Sequence, residues 1–193
     1  MTRIGFVGVG AISGIYLENI TNRFKDIEII GVCDLIRERA ENAVKKYNIP
    51  KLYNDMYELF ADPEVDVVLN ITRPYEHYEV TKAALLAGKH VICEKPITIT
   101  AKEFKELCHL ADEKNLVYFE AIMYMHTPLR QVLKDAASKI GNITSATIDF
   151  SQLSSKYEAL KKGDLPNIFN PELKTGALND LGIYCVYPVI DLF

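Results

Sequence analysis

Over residues 1–120 the chain alternates short, near-continuous apolar runs with stretches in which apolar positions recur every three or four residues. Runs of the first kind read as strands of a parallel sheet covered on both faces, and the second kind as the helices that connect them. Five runs are predicted as strands: residues 4–7, 27–33, 65–71, 90–93 and 116–119. Between the second and third, Ile36, Ala40, Ala43, Val44 and Tyr47 lie on one helical face, with Arg37, Glu38, Glu41, Lys45 and Lys46 on the other. A helix from about Tyr75 is predicted to stop at Gly88. Thr100 and Glu103 have the spacing of a capping box, opening a helix whose apolar stripe is Phe104, Leu107, Cys108 and Ala111. After Glu120 the alternation ends. The pattern there predicts a helix over 128–137, a strand over 143–150, a long loop with short helical pieces over 151–174, and a buried helix over 176–193 that Pro188 interrupts.

Composition narrows the class. With 49% hydrophobic and 25% charged residues, the 193-residue chain is neither disordered, collagenous nor a membrane protein by composition. The net charge of −4 comes from 22 basic and 26 acidic residues with no polybasic run, so a small molecule is expected as partner rather than nucleic acid or a membrane surface. Met1-Thr2-Arg3 leads directly into the first strand rather than into a signal peptide, and a cytoplasmic protein is expected. Cys33, Cys93, Cys108 and Cys185 form no C-x-x-C pair and are read as buried thiols. His77, His90, His109 and His126 lack metal-ligand spacing, so no metal site is expected.

The candidate chemistry begins where the first strand runs into Gly8-Val9-Gly10-Ala11-Ile12-Ser13-Gly14. This is a strand-to-helix turn of the dinucleotide-binding type. Gly8 makes the turn, and Gly10, lacking a side chain, lets a pyrophosphate reach the amides of Ala11 and Ile12 at the helix N-terminus. Ser13 stands where a third glycine is usual. Taken alone, the glycines also fit a tight turn packed against a helix. Asp34 changes the balance, because it closes the second strand, where a carboxylate accepts hydrogen bonds from both hydroxyls of the adenosine ribose. A carboxylate there also repels a 2′-phosphate, so NAD is expected over NADP. Arg37, one turn on, keeps NADP open, since a guanidinium can hold a phosphate; the alternative is a solvated helix residue. Cys93-Glu94-Lys95-Pro96 ends another strand at the carboxyl edge of the sheet, where open α/β sheets bind ligands. By itself a lysine there reads more readily as a surface charge.

Together, the glycine turn, the Thr72-Arg73-Pro74 loop followed by His77, the Glu94-Lys95-Pro96 tripeptide and the stretch from Gly176 to Tyr184 resemble the Gfo/Idh/MocA oxidoreductase family in order and spacing. The stretch from Asp180 to Val186 is most similar to its dihydrodiol and xylose dehydrogenase branch. The resemblance covers essentially the whole chain. It implies an α/β fold: a doubly wound Rossmann sheet over residues 1–120 that binds NAD(P), then an α+β substrate and oligomerisation domain, incomplete over 121–193 because the family's chains are longer. A fragment of a longer enzyme is expected, or a chain whose missing surface a partner supplies. The implied catalytic residues are Lys95, beside the nicotinamide and the substrate hydroxyl, with Asp180 and Tyr184. Asp180 would orient the hydroxyl or the lysine, and Tyr184 would exchange the proton. Residues at i and i+4 on one helix share a face, and a phenol with a pKa near 10 takes a proton well only when a neighbouring ammonium lowers it. On the cofactor side the resemblance adds Thr72, Arg73, His77 and Glu94. Arg73 departs from the family's usual proline and asparagine, and His77 alone also reads as a cap or packing residue. The expected function is hydride transfer between NAD(P) and a secondary hydroxyl or carbonyl of a sugar, polyol or cyclic diol, in a homo-oligomer. A nucleotide-binding module without turnover is the alternative, although such a module needs neither Lys95 nor Asp180 nor Tyr184.

Overall fold

Thr2–Val7 forms β1, in which Ile4 to Val7 are all buried, as a central strand covered on both faces requires. A computed structural model describes residues 1–193, and its first unit, Met1–Ala121, is built around this strand. β1 pairs in parallel with β2 (Ile27–Cys33) on one side and β4 (Val67–Asn70) on the other. β3 (Lys51–Leu52) extends the sheet beyond β2; β5 (His90–Cys93) and β6 (Tyr118–Glu120) extend it beyond β4. The resulting six-stranded order, β3-β2-β1-β4-β5-β6, is that of a doubly wound Rossmann sheet, and its direction of winding reverses between β1 and β4. A crevice forms at that reversal because the chain leaves β1 and β4 toward opposite faces of the sheet.

Alternation along each strand divides the core in two. Phe6, Val32 and Leu69 pack on one face with Leu17 and Ile20 of α1 (Ser13–Arg23) and Ala40 and Ala43 of α2 (Arg37–Tyr47). Val68 and Val91 pack on the other with Leu59 of α3 (Met56–Ala61), Leu85 of α4 (His77–Leu86) and Leu107 of α5 (Ala101–Glu113). The capping box at α5 forms as its spacing predicts. Thr100 Oγ1 accepts from the Glu103 amide at 3.2 Å, and Glu103 Oε2 accepts from the Thr100 amide at 3.0 Å, an N-cap worth about 1 kcal/mol. α4 ends two residues before Gly88. Two elements of the first unit were not foreseen. β3 has only two residues, too few for a period, and the short α3 is announced mainly by its cap, Asp55 Oδ1, which accepts from the Glu58 amide at 2.9 Å.

The cysteines divide. Cys33 and Cys93 in the strands are buried, and burial pushes the Cys33 thiol up to about 12. Cys108 and Cys185 are only half-buried, because each lies on the flank of a helix rather than in the sheet.

The second unit, Ile122–Phe193, contains α6 (Met123–His126), α7 (Pro128–Ala137), α8 (Tyr157–Lys161), α9 (Ala177–Asp180) and α10 (Ile183–Leu192). The predicted strand over 143–150 does not form, since a strand requires a hydrogen-bonded neighbour and this unit offers none. α10 also departs from expectation. Pro188 lies inside it without ending it, and Val186, Val189 and Ile190 are exposed, so the helix is not buried as a whole. Within the unit it packs against α6, α7 and α9, and Asp191 ties it down. That carboxylate accepts from Arg130 Nη2 at 2.6 Å, Lys134 Nζ at 2.8 Å and the Tyr124 hydroxyl at 3.2 Å. Arg130, then Lys134, hold the carboxyl well below the usual range. No helix of the protein is long and apolar enough to cross a membrane.

Candidate active site

The glycine turn occupies the crevice between β1 and β4. Gly8 has φ +92°, and a Cβ there would stand 2.7 Å from the Ile71 carbonyl oxygen, so only glycine lets the two strand ends pass this closely. Gly10 is the opposite case: a Cβ there would meet nothing within 4 Å. The amides of Gly10, Ala11 and Ile12 make no hydrogen bond within the chain, and the first turn of α1 carries no acidic side chain. Unpaired amides and the positive end of a helix dipole form a cradle for an anion, and the open space over Gly10 leaves that cradle accessible. Ser13 fits the third glycine position by turning inward, where it is buried and its hydroxyl donates to the Gly10 carbonyl at 2.7 Å. Gly10→Ala is therefore expected to leave the melting temperature within about 2 °C while weakening NADH binding at least about tenfold. Gly8→Ala is expected to cost about 1–3 kcal/mol of stability. Thermal melts paired with NADH titration separate the two, and undiminished NADH binding by Gly10→Ala would show that the cradle holds something else.

Asp34, at the carboxyl end of β2, is fastened to this turn. Its Oδ2 accepts from the Val9 amide at 2.6 Å and its Oδ1 from the Ile36 amide at 2.7 Å. Each oxygen keeps a second lone pair for a ribose hydroxyl. Arg37 is already engaged, with Nε on Glu41 Oε1 at 3.0 Å and Nη1 on Asn54 Oδ1 at 2.7 Å, an exposed arrangement that fits the solvated-helix reading.

At the end of β4, Asn70 is fully buried and organises the following loop. Its Nδ2 donates to the His77 carbonyl and to Thr81 Oγ1, both at 3.1 Å, while its Oδ1 accepts from the Thr72 amide at 3.2 Å and the Thr72 hydroxyl at 2.7 Å. Arg73 is exposed and donates to the Tyr75 hydroxyl at 2.8 Å; Tyr75, with Glu76 and Asp34 adding, keeps its guanidinium charged. His77 is not a surface group. Its ring is buried, with Nδ1 2.8 Å from the Pro96 carbonyl and Nε2 3.2 Å from the Thr72 carbonyl, so both nitrogens face the backbone of two loops rather than a ligand. Burial pushes its pKa below the ordinary value, and the two carbonyls oppose that shift.

β5 delivers Glu94 and Lys95 to the same carboxyl edge. Glu94 Oε1 accepts from the Tyr16 hydroxyl at 2.5 Å, and its Oε2 accepts from the Lys95 amide at 3.0 Å. Lys95 is half-buried, and the peptide it forms with Pro96 is cis. The next amide, that of Ile97, donates to Glu120 Oε1 at 2.8 Å. Burial raises the Glu120 carboxyl; the Ile97 amide and Lys95 pull it the other way. Gly8, Asp34, Thr72 and Lys95 thus all follow the carboxyl ends of adjacent strands in the first unit.

Asp180 and Tyr184 belong to the second unit, and they do not share one helix as the i, i+4 argument assumed. Asp180 is the last residue of α9 and Tyr184 the second of α10. The backbone tightens between them: the Gly182 amide donates to the Ala177 and Leu178 carbonyls, both at 3.0 Å, in a turn where a Cβ on residue 182 would lie 2.3 Å from the Leu178 oxygen. The Tyr184 ring stacks on Phe150 with centroids 4.9 Å apart and planes 18° apart. Sequence reasoning missed Asn70, Glu120 and Tyr16. The first carried a signal, as a polar residue inside an apolar run, and the second is a charge directly after one; Tyr16 carried none.

Residues 2–122 match the Gfo/Idh/MocA oxidoreductase family, described as an NAD-binding Rossmann fold. The chain belongs to this family. Over all 193 residues it is 33% identical to a scyllo-inositol 2-dehydrogenase (NADP(+)) of Bacillus subtilis, and it covers 58% of that protein. It is 31% identical over 189 residues to a trans-1,2-dihydrobenzene-1,2-diol dehydrogenase of Macaca fuscata fuscata, covering 95% of this chain and 54% of the relative. The chain thus spans a little over half the length of these relatives. Among solved structures, a myo-inositol dehydrogenase from Lactobacillus casei in complex with NAD(H) and myo-inositol superimposes with a TM-score of 0.67 at 26% identity, over 72% of this chain and 41% of that one. The first unit is therefore the NAD-binding Rossmann fold of Gfo/Idh/MocA oxidoreductases, as the motifs implied.

Proposed function

We propose that the chain forms the cofactor domain and part of the substrate domain of a dehydrogenase that moves hydride between NAD and a secondary hydroxyl or carbonyl of a cyclic polyol, sugar or diol. The observation that carries this reading is the position of Lys95, half-buried at the carboxyl edge of β5 and on the same edge as the glycine cradle and Asp34. The relatives reported above are named as dehydrogenases of inositols and of a dihydrodiol, which supports the substrate class and gives no support to a nucleotide binder without turnover.

A bound nicotinamide supplies the hydride acceptor or donor. The chain's own residues supply the rest. Lys95 offers an ammonium that hydrogen-bonds the substrate oxygen and favours the alkoxide-like charge that develops as hydride leaves carbon. Asp180 orients the hydroxyl, and Tyr184 accepts its proton in oxidation and returns it in reduction; both roles rest on the family resemblance. NAD is preferred to NADP because Asp34 places a carboxylate where a 2′-phosphate would stand and Arg37 is committed to Glu41 and Asn54. In this respect the chain is proposed to differ from its Bacillus relative, whose name specifies NADP(+).

The test is to incubate the purified chain with NAD and, in turn, scyllo-inositol, myo-inositol, xylose and a trans-dihydrodiol, following NADH formation. Turnover of at least one is expected. Tight NADH binding without turnover of any would overturn the dehydrogenase reading for this chain.

A further inference from the structure

Proline has no amide hydrogen, so the peptide joining Lys95 to Pro96 offers no N–H by which the loop can be held. The anchorage falls on the next peptide, and both of its polar atoms are taken by buried or half-buried ionisable side chains. The Pro96 carbonyl accepts from His77 Nδ1 at 2.8 Å, and the Ile97 amide donates to Glu120 Oε1 at 2.8 Å. His77 opens α4 and Glu120 closes β6, so the peptide is gripped from two different elements. A neutral imidazole has one N–H, and Pro96 is the nearer of its two carbonyls, which assigns that hydrogen to Nδ1. On the other side of Lys95, its amide is held by Glu94, which Tyr16 fixes in turn.

We propose that His77 and Glu120 are positioning residues for Lys95, acting by clamping the Pro96–Ile97 peptide from opposite ends. The proposal rests on the reading of Lys95 as the catalytic lysine. A misplacement of about 1 Å at a reacting group costs on the order of 10²-fold in rate, so a loop that carries such a group requires a rigid backbone. The ring of His77 also approaches the Thr72 carbonyl, so a single buried side chain joins the lysine loop to the loop after β4.

Four variants test the clamp. His77→Asn puts an amide nitrogen near the place of Nδ1 and can still reach the Pro96 carbonyl; His77→Gln puts it near Nε2 and cannot. Glu120→Gln keeps an oxygen for the Ile97 amide; Glu120→Leu removes it. Hydrogen exchange at the Ile97 amide and steady-state kinetics are measured on each, with NADH titration to establish that the fold is intact. Exchange is expected to quicken at least about tenfold in His77→Gln and Glu120→Leu, and kcat to fall about 10²-fold with the KM for NAD within about threefold. His77→Asn and Glu120→Gln are expected to restore both to within about fivefold of the parent chain. Equal kcat within each pair would overturn the proposal. If the parent chain binds NADH but oxidises no polyol, the function reading fails on its own. Exchange at Ile97 then decides the clamp, and equal exchange within each pair would sink it.

Discussion

Replacing Lys95 with methionine is expected to lower kcat about 10³-fold while leaving the NADH dissociation constant within about threefold. Methionine keeps an apolar stem of the same length as lysine's and removes the terminal ammonium with its charge and three donors. The cofactor cradle at Gly10 to Ile12 and the carboxylate of Asp34 are untouched by the change, so binding survives. On the proposed reading, the chemical step loses the cation that favours charge on the substrate oxygen. Placed acids and bases contribute about 10²–10⁴-fold, which sets the size of the effect. Stopped-flow measurement of NADH release and of the hydride step distinguishes the outcomes. A kcat within tenfold of the parent would remove Lys95 from the chemistry and return it to the surface-charge reading.

Asp34→Ala is expected to weaken NADH binding about 10–100-fold and to cost about 1–3 kcal/mol of stability. The two effects have separate origins. Hydrogen bonds from ribose hydroxyls to a charged group contribute about 1.5–3 kcal/mol, which accounts for the loss of affinity. The loss of stability follows because the Val9 and Ile36 amides both lose their acceptor. Since Asp34 also holds the glycine turn, a fall in NADH affinity alone would not separate ribose recognition from a loosened turn. NADPH does separate them. The parent chain is expected to bind NADPH at least about 100-fold more weakly than NADH, because close like charges cost several kcal/mol. In Asp34→Ala that gap is expected to shrink to within about tenfold as the repulsion disappears. A loosened turn would weaken both cofactors alike, and equal binding of NADH and NADPH by the parent chain would place Asp34 away from the ribose edge.

Much of the first unit was legible in the chain itself because its signals are local. The apolar runs at 4–7, 27–33 and 90–93 became β1, β2 and β5; Thr100 and Glu103 formed their box; and the glycine turn, with Asp34 after the next strand, announced a nucleotide site. Turns, caps and burial periods depend on neighbours within a few residues, so a sequence carries them directly. Other features arise only when distant segments meet. Asp34 grips Val9 across 25 residues, His77 grips Pro96 across 19 and Glu120 grips Ile97 across 23. His77, read in sequence as a cofactor contact or as a cap or packing residue, is buried with its ring against the Pro96 and Thr72 carbonyls once α4 and the lysine loop pack together. The run at 143–150 shows the converse. Its residues favour extended chain, yet strand formation belongs to a pair of segments, and none lies beside it in the second unit. Asp180 and Tyr184 likewise satisfy an i, i+4 rule by count, but the tight turn at Gly182 puts them on separate helices. The sequence by itself determined the type of most local elements in the first unit and which residues follow the strand ends. Tertiary structure decided which side chains hold the backbone at those strand ends, because a hydrogen bond between segments exists only once folding brings donor and acceptor within about 3 Å.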